Sequence, residues 1–151
     1  KPDADGVGEI HLTGPMVMTG YIDKEPIDGD LNTDDIGYVD EDGFVYILNR
    51  RKDLIISGGE NIYPKELEDL VYTLPAVKEC AVVPVSDHKW GQVPALFMAF
   101  HDGESMTSDE ILSFMTNSLA KYKIPKYVKI LPALPRNGTG KIVRNKLRLE
   151  D

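Results

Sequence analysis

Asn49-Arg50-Arg51-Lys52-Asp53-Leu54-Ile55-Ile56-Ser57-Gly58-Gly59-Glu60-Asn61-Ile62-Tyr63-Pro64-Lys65-Glu66-Leu67-Glu68 is the stretch on which the reading of this chain turns. Three cations, Arg50, Arg51 and Lys52, follow an apolar strand-like run, and Leu54-Ile55-Ile56 leads into adjacent glycines. Two glycines after a strand permit backbone angles closed to other residues and let a ligand approach the main chain; they equally suit a plain β-turn, and the two readings are compatible. Pro64 fits the first turn of a helix. Leu67, Leu70, Val71 and Leu74 follow at helical spacing, so a helix is expected from about Pro64 to Leu74, stopped by Pro75.

Outward from this stretch the charge changes character. Residues 1–50 carry twelve acidic and three basic side chains, whereas residues 51–151 carry thirteen acidic and fourteen basic. Such a break at a run of cations is what a domain boundary looks like. The 151 residues, 42% apolar and without an apolar run long enough to span a bilayer, are the composition of a soluble globular protein with no membrane span. The single cysteine, Cys80, lies in the apolar run Cys80-Ala81-Val82-Val83 and reads as a buried small hydrophobe in a reducing compartment. The opening Lys1-Pro2-Asp3-Ala4-Asp5-Gly6 has neither an initiator methionine nor a signal peptide, so a segment of a longer protein is expected.

Upstream, Gly8 to Leu12 alternates weakly as a strand, Asp28-Gly29-Asp30 and Asp40-Glu41-Asp42-Gly43 are turns, and Phe44 to Leu48 is a strong β segment. Fifty residues of this kind make strands without a core of their own and need a larger partner. Downstream, Val77 to Val85 and Ala95 to His101 are expected as buried strands, and Thr107 with Glu110 as a capping box. The helix it opens should bury Leu112, Met115, Leu119 and Tyr122, flanked by Ile111, and stop before Pro125. Tyr127 to Leu131 is a short strand, Asn137-Gly138-Thr139-Gly140 a turn, and Val143 to Leu149 a short basic helix. Strands alternating with helices over about a hundred residues suffice for one small α+β core.

Two features carry chemistry beyond the central stretch. In Leu134-Pro135-Arg136-Asn137-Gly138-Thr139-Gly140-Lys141-Ile142-Val143-Arg144 a lysine stands on a Gly-rich hairpin, a movable point charge suited to negative charge that gathers during a reaction. A P-loop is the weaker reading, because Ile142 stands where that motif needs a hydroxyl. Between Ile111 and Leu149 there are nine basic residues and no acidic ones. Without a nucleic-acid motif, this strip matches a polyphosphate better than nucleic acid, with a solvated face as the bland alternative. His11, His88 and His101 are scattered without metal-ligand spacing.

The charged run, Leu-Ile-Ile, Ser-Gly-Gly-Glu-Asn and Tyr-Pro-x-Glu-Leu-Glu in one register, together with the Gly140-Lys141 motif, resemble the AMP-forming acyl-CoA synthetases. That superfamily includes acyl-CoA ligases, peptide-synthetase adenylation domains and beetle luciferases. The resemblance implies an α+β fold: a small mobile C-terminal domain over residues 52–151, a short mixed sheet flanked by helices. Residues 1–51 would be β strands that end a larger N-terminal domain, the missing partner. It implies an acid–thiol ligase using ATP, Mg2+ and coenzyme A on a carboxylic acid, in the cytoplasm, with the Mg2+ site in the missing N-terminal portion.

Residue by residue, the resemblance gives Asp35, with Thr33, the ATP ribose, although Asp34 stands where the family has glycine. Arg50 would contact ribose and phosphate, while Arg51 has no role and is expected to be solvated. Lys52 would be the hinge. Gly58 and Gly59 would line the path of the CoA pantetheine arm, with Trp90 near that route or simply packed on the surface. Lys141 would be the catalytic lysine of adenylate formation. Trp90-Gly91-Gln92-Val93-Pro94 and Leu119-Ala120-Lys121-Tyr122-Lys123-Ile124-Pro125-Lys126 further resemble the menaquinone-biosynthesis branch of the family in Gram-positive bacteria. Another acyl-CoA ligase, a peptide-synthetase adenylation domain, and a non-catalytic nucleotide-binding module remain the alternatives.

Overall fold

The computed structural model describes residues 2–3 and 6–149 and separates into two compact units, Lys1–Lys52 and Asp53–Asp151. The first unit is an antiparallel sheet of β1 (Gly8–Leu12), β2 (Leu31–Val39) and β3 (Val45–Arg50) in that order. The β2–β3 hairpin is closed by the Asp40 turn, whose carboxylate accepts the N–H groups of Asp42 and Phe44. Tyr38 and Tyr46, paired across β2 and β3, stack with ring centroids 5.0 Å apart. Among the described residues Ile36 is the one buried hydrophobic side chain of this unit. Leu12, Val39, Phe44, Val45 and Ile47 are all exposed, because three strands with nothing packed on them cannot enclose a core.

The second unit is α+β. Its sheet runs β5 (Glu60–Ile62), β4 (Ile55–Ser57), β7 (Gly91–Phe100), β6 (Val77–Asp87), with β8 (Tyr127–Ile130) added parallel to β7. β6 and β7 form the long central hairpin, and their central residues 80–83 and 93–99 read as continuous apolar runs because both faces are covered. On one face Val82, Leu96 and Met98 pack under α1 (Pro64–Val71) and α2 (Ser108–Thr116), which contribute Leu67, Val71, Ile111 and Met115. On the other face Ala81, Val83, Ala95, Phe97 and Ala99 are covered by Leu134 and Leu147 of the C-terminal tail. Both helices thus lie on one side of the sheet, and irregular chain covers the opposite side.

Several local expectations shift. α1 ends at Val71 instead of Leu74, because the Thr73 and Leu74 N–H groups turn to the carbonyls only three residues back, Leu70 and Val71, and the Thr73 hydroxyl also donates to Leu70. The Thr107–Glu110 capping box forms, but α2 ends at Thr116 and buries Ile111 and Met115 fully, leaving Leu119 half-buried and Tyr122 exposed. Ile111 and Met115 are four residues apart and share one face, so they, and not the expected Leu112, define the inward stripe. The basic helix expected over Val143–Leu149 is only a 3-10 turn, Arg144–Lys146. Arg144 and Leu147 are drawn onto the sheet, Leu147 entering the core, while Asn145 and Lys146 stay exposed.

β6 is an edge strand, and side chains close that edge. The Glu68 carboxylate accepts the Val82 N–H at 2.7 Å, and Arg144 donates to the Val82 carbonyl at 2.9 Å. Two residues earlier, the Tyr72 hydroxyl accepts the Cys80 N–H at 3.1 Å. Satisfying ladder groups in this way removes a template for further strand pairing. Cys80 itself is 2% exposed, and burial pushes its thiol up to about 12, which suits an inert core residue. No helix among the described residues is long and apolar enough to cross a membrane.

Candidate functional site

The expected site residues fall into three places. In the first unit, β2 carries extra residues opposite β1 between Asn32 and Ile36, and this irregularity holds Thr33, Asp34 and Asp35. Asp34 sits at φ +59°, the left-handed conformation for which glycine is the usual residue. Aspartate tolerates it better than most, and the Asn32 carboxamide accepts the Asp34 N–H at 2.8 Å to fix the turn. An aspartate is thus held in a backbone conformation that a glycine would take without strain.

Thr33 uses its hydroxyl internally, donating to the Ile10 carbonyl at 3.0 Å while accepting the Asp35 N–H at 3.2 Å. It acts as a staple for the loop. Asp35 pairs with Arg50, Nε to Oδ1 at 2.8 Å, and Arg50 also donates to the Thr33 carbonyl at 3.1 Å. The structure thus brings Thr33, Asp35 and Arg50 together, with a carboxylate and a guanidinium oriented by each other. Beside Arg50 on β3, Asn49 is 9% exposed and its Nδ2 is the buried side-chain nitrogen left without a partner among the described residues. Arg51, expected to be solvated, is exposed and also pairs with Glu9 at 2.7 Å. Glu9 lies on β1 beside β2, and its pKa is lowered chiefly by the Asn32 hydrogen bond, with Arg51 adding to the effect. Lys52 is exposed in the 3-10 turn Arg51–Asp53, at the junction of the two units.

The second place is a cleft of about 720 Å³ in the 53–151 unit. Gly58 and Gly59 form the two-residue turn between β4 and β5, with φ +60° and +94°, the signature of a type I′ hairpin. Gly58 has a second requirement: a Cβ there would stand 2.6 Å from Cε3 of Trp90. The indole lies against the bare backbone, and the Gly58 N–H donates to the Trp90 carbonyl at 2.9 Å. Trp90 remains half exposed and forms one wall of the cleft; Val93, Pro94, Tyr122 and Ile124 supply more apolar surface, and Lys121 and Lys126 stand at its edge.

Asp87 holds this wall in place. Its carboxylate accepts the N–H groups of Lys89 and Trp90 at 2.8 and 2.9 Å and pairs with Lys126 at 2.6 Å. The Lys126 ammonium and these two N–H groups hold the Asp87 carboxyl far below the usual carboxylate range. An apolar slot with an indole, a phenol and lysines can take a flexible chain with an anionic nucleotide at its end.

The third place is the hairpin closed by the Arg136–Ile142 bridge. Asn137 builds it, its side-chain oxygen accepting from the Thr139 N–H, the Thr139 hydroxyl and the Lys141 N–H. Lys141 is exposed and makes no ion pair among the described residues, and it is not among the residues lining the Trp90 cleft. Among the described residues, four of the nine cations in the basic strip are paired with carboxylates: Lys123 with Glu66, Lys126 with Asp87, Arg136 with Glu79 and Arg144 with Glu68. The strip is therefore interrupted by these pairs, and Lys141 stands outside them on its hairpin.

Sequence reasoning passed over Glu68, Glu79 and Asp87. The signal was present for two of them, since Glu79 interrupts the apolar run at Val77–Val85 and Glu68 follows Leu67 on the inward side of α1. A carboxylate at a core position needs a cation, and the only stretch rich in spare cations is the tail.

Comparison with known proteins agrees with this geometry. The model of the family described as AMP-binding enzyme C-terminal domain matches residues 66–141. The 2-succinylbenzoate–CoA ligase of Lactococcus lactis subsp. lactis (strain IL1403) is 53% identical over 148 residues, 98% of this chain and 32% of that protein. The enzyme of the same name from Bacillus cereus (strain ATCC 14579) is 50% identical over 147 residues, 93% of this chain and 30% of that protein. Among solved structures, the o-succinylbenzoate CoA synthetase of Bacillus subtilis in complex with the acyl-adenylate intermediate OSB-AMP is 42% identical, with a TM-score of 0.88 over all of this chain and 32% of that one. ATP-bound MatB from Rhodopseudomonas palustris is 36% identical with a TM-score of 0.86, over 97% of this chain and 32% of that one. The chain spans about a third of the length of the relatives it matches. With its α+β unit, its glycine turn against Trp90 and its lysine hairpin all falling within these matches, this chain belongs to the AMP-binding enzyme C-terminal domain family.

Proposed function

We propose that the chain is the C-terminal part of an ATP-dependent, AMP-forming acid–CoA ligase of the cytoplasm, acting on 2-succinylbenzoate in menaquinone biosynthesis. The observation that carries this reading is the 53% identity, over nearly the whole chain, to a ligase of that name. In this reading residues 1–51 end the large N-terminal domain, which would cover the apolar side chains that the three-stranded sheet leaves exposed. Residues 52–151 are the mobile C-terminal domain.

The reaction has two steps. The carboxylate attacks the α-phosphate of ATP and expels pyrophosphate, giving an acyl adenylate; the CoA thiol then attacks the acyl carbon and releases AMP. Asp35, oriented by Arg50, suits a ribose diol, and the Arg50 guanidinium suits phosphate. The unpartnered Asn49 Nδ2 nearby is a donor that a ligand could satisfy. Mg2+ accompanying ATP would be held by residues outside this chain. The Lys141 ammonium, without an ion pair among the described residues, serves the first step, where charge gathers between the carboxylate oxygen and the α-phosphate. The Gly58–Trp90 cleft takes CoA in the second, its apolar wall along the pantetheine arm and Lys121 and Lys126 near the nucleotide. Lys52 is the hinge that alternates the two arrangements.

Lys141→Ala in the full-length ligase tests this. Adenylate formation should fall about a hundred- to a thousandfold, the effect of removing one preorganised charge-stabilising group. Thioester formation from synthetic acyl adenylate and CoA should stay near wild type. Equal slowing of both steps in a folded variant would refute the assignment of Lys141, and the absence of turnover with 2-succinylbenzoate alone among the acids tried would refute the substrate.

A further inference from the structure

The hairpin that presents Lys141 is tied to the sheet by a buried carboxylate. Glu79, on β6, is 4% exposed, accepts the Leu134 N–H at 2.9 Å, and pairs through its other oxygen with both Nε and Nη2 of Arg136. The remaining arm of that guanidinium reaches forward across the hairpin and donates to the Gly140 carbonyl at 2.5 Å. Gly140 is the residue whose carbonyl begins the peptide bond to Lys141. A single planar group therefore joins a rigid core strand to the peptide plane from which the lysine projects.

The chemistry of the link is demanding. Burial alone would raise the Glu79 pKa, but the Leu134 N–H and the Arg136 guanidinium outweigh it and hold the group ionised below the usual range. An ionised carboxylate in a nearly dry position needs its cation in one place, which fixes the guanidinium plane. Lysine could replace the charge of Arg136 but has no rigid fork with which to hold Glu79 and the Gly140 carbonyl together.

We propose that Glu79 and Arg136 are positioning residues for Lys141, setting the direction of its hairpin through the Gly140 peptide; this rests on the reading of Lys141 given above. The test uses Arg136→Lys and Glu79→Gln in the full-length ligase, each alone and combined with Lys141→Ala. Arg136→Lys should slow adenylate formation about tenfold to a hundredfold, the scale of an ångström-sized misplacement, and leave thioester formation from preformed adenylate unchanged. In the Lys141→Ala background it should add less than about threefold, because residues that act as one unit are not additive.

A role confined to folding would instead slow both half-reactions and multiply with Lys141→Ala. Amide hydrogen exchange on the 151-residue chain supplies a readout independent of turnover. Both variants should lose protection at Gly140 and Lys141 while the β6–β7 amides keep theirs. Unchanged protection at Lys141, or multiplicative rate losses beside a slow Lys141→Ala, overturns the positioning role alone. If Lys141→Ala leaves adenylate formation intact, the reading of Lys141 fails and the positioning role falls with it.

Discussion

Replacing Gly58 by alanine adds one methyl group, and its cost divides into two parts that can be measured separately. At φ +60° an alanine costs about 1–2 kcal/mol from Cβ–carbonyl crowding. Its Cβ would also stand 2.6 Å from Cε3 and 3.1 Å from Cζ3 of Trp90, about 1 Å inside ordinary carbon–carbon contact. The indole must swing toward the cleft. Overpacking of this kind costs roughly 1–3 kcal/mol, and the lower half of that range is expected because Trp90 is half exposed. Gly59, at φ +94° with nothing within 4 Å of its would-be Cβ, carries a backbone cost alone. Gly58→Ala should therefore lose about 2–4 kcal/mol in the wild-type background and only about 1–2 in a Trp90→Ala background, a coupling of about 1–2 kcal/mol. Gly59→Ala should show none. Hydrogen exchange at the β7 amides reports the stability of this unit specifically. Equal losses for Gly58→Ala in both backgrounds would refute the contact as the reason for glycine. In the full-length ligase the same variant should impair thioester formation more than adenylate formation, since the displaced ring narrows the proposed CoA cleft.

Lys52→Pro in the full-length ligase should trap one arrangement, because proline fixes φ and removes a donor where the chain is proposed to turn; one half-reaction should fail much more than the other, and equal modest losses would exclude Lys52 as the hinge. Residues 1–151 alone should form no thioester from acid, ATP and CoA, and product from a preparation free of full-length ligase would contradict the proposed division of labour. Asp87→Asn should lower stability fully at neutral pH. Because the folded-state pKa of Asp87 lies below its ordinary value near 3.8, the deficit should shrink as pH falls from about 4 toward 2; a deficit independent of pH, measured by urea midpoints, would show that the carboxylate charge is not what holds the Trp90 loop.

The parts legible in the sequence were those written in local chemistry. Gly58-Gly59, the Thr107–Glu110 box and the apolar runs of β6 and β7 each state a backbone conformation within a few residues, and the structure forms them. Contacts that join distant positions were not legible. Arg144 and Glu68 are 76 residues apart, and Arg136 and Glu79 are 57 apart, so nothing in either neighbourhood names the partner. Arg51 is exposed, as expected, but its pair with Glu9 was not legible for the same reason, since Glu9 lies on another strand. The tail misled in a different way. Its basic, helix-permissive composition suggested a helix, but Leu134 and Leu147 gain more by covering Phe97 than a short helix would gain by forming.

The closed edge of β6 gives the last residues of the chain a role unlike that of a tether. Glu68, from a helix, and Arg144, from the tail, together stand in for the hydrogen-bonding face of a missing neighbour strand. A protein shortened before Arg144 would keep most of its apolar core yet present an open Val82 carbonyl, a Glu68 carboxylate without its counter-charge and a flat strand beside them. Such a molecule is expected to self-associate through β6. Because Arg144 lies three residues beyond Lys141, the segment that seals the sheet also anchors the loop proposed to serve adenylate formation, so loss of solubility and loss of that proposed chemistry are expected to arise together from damage to this segment.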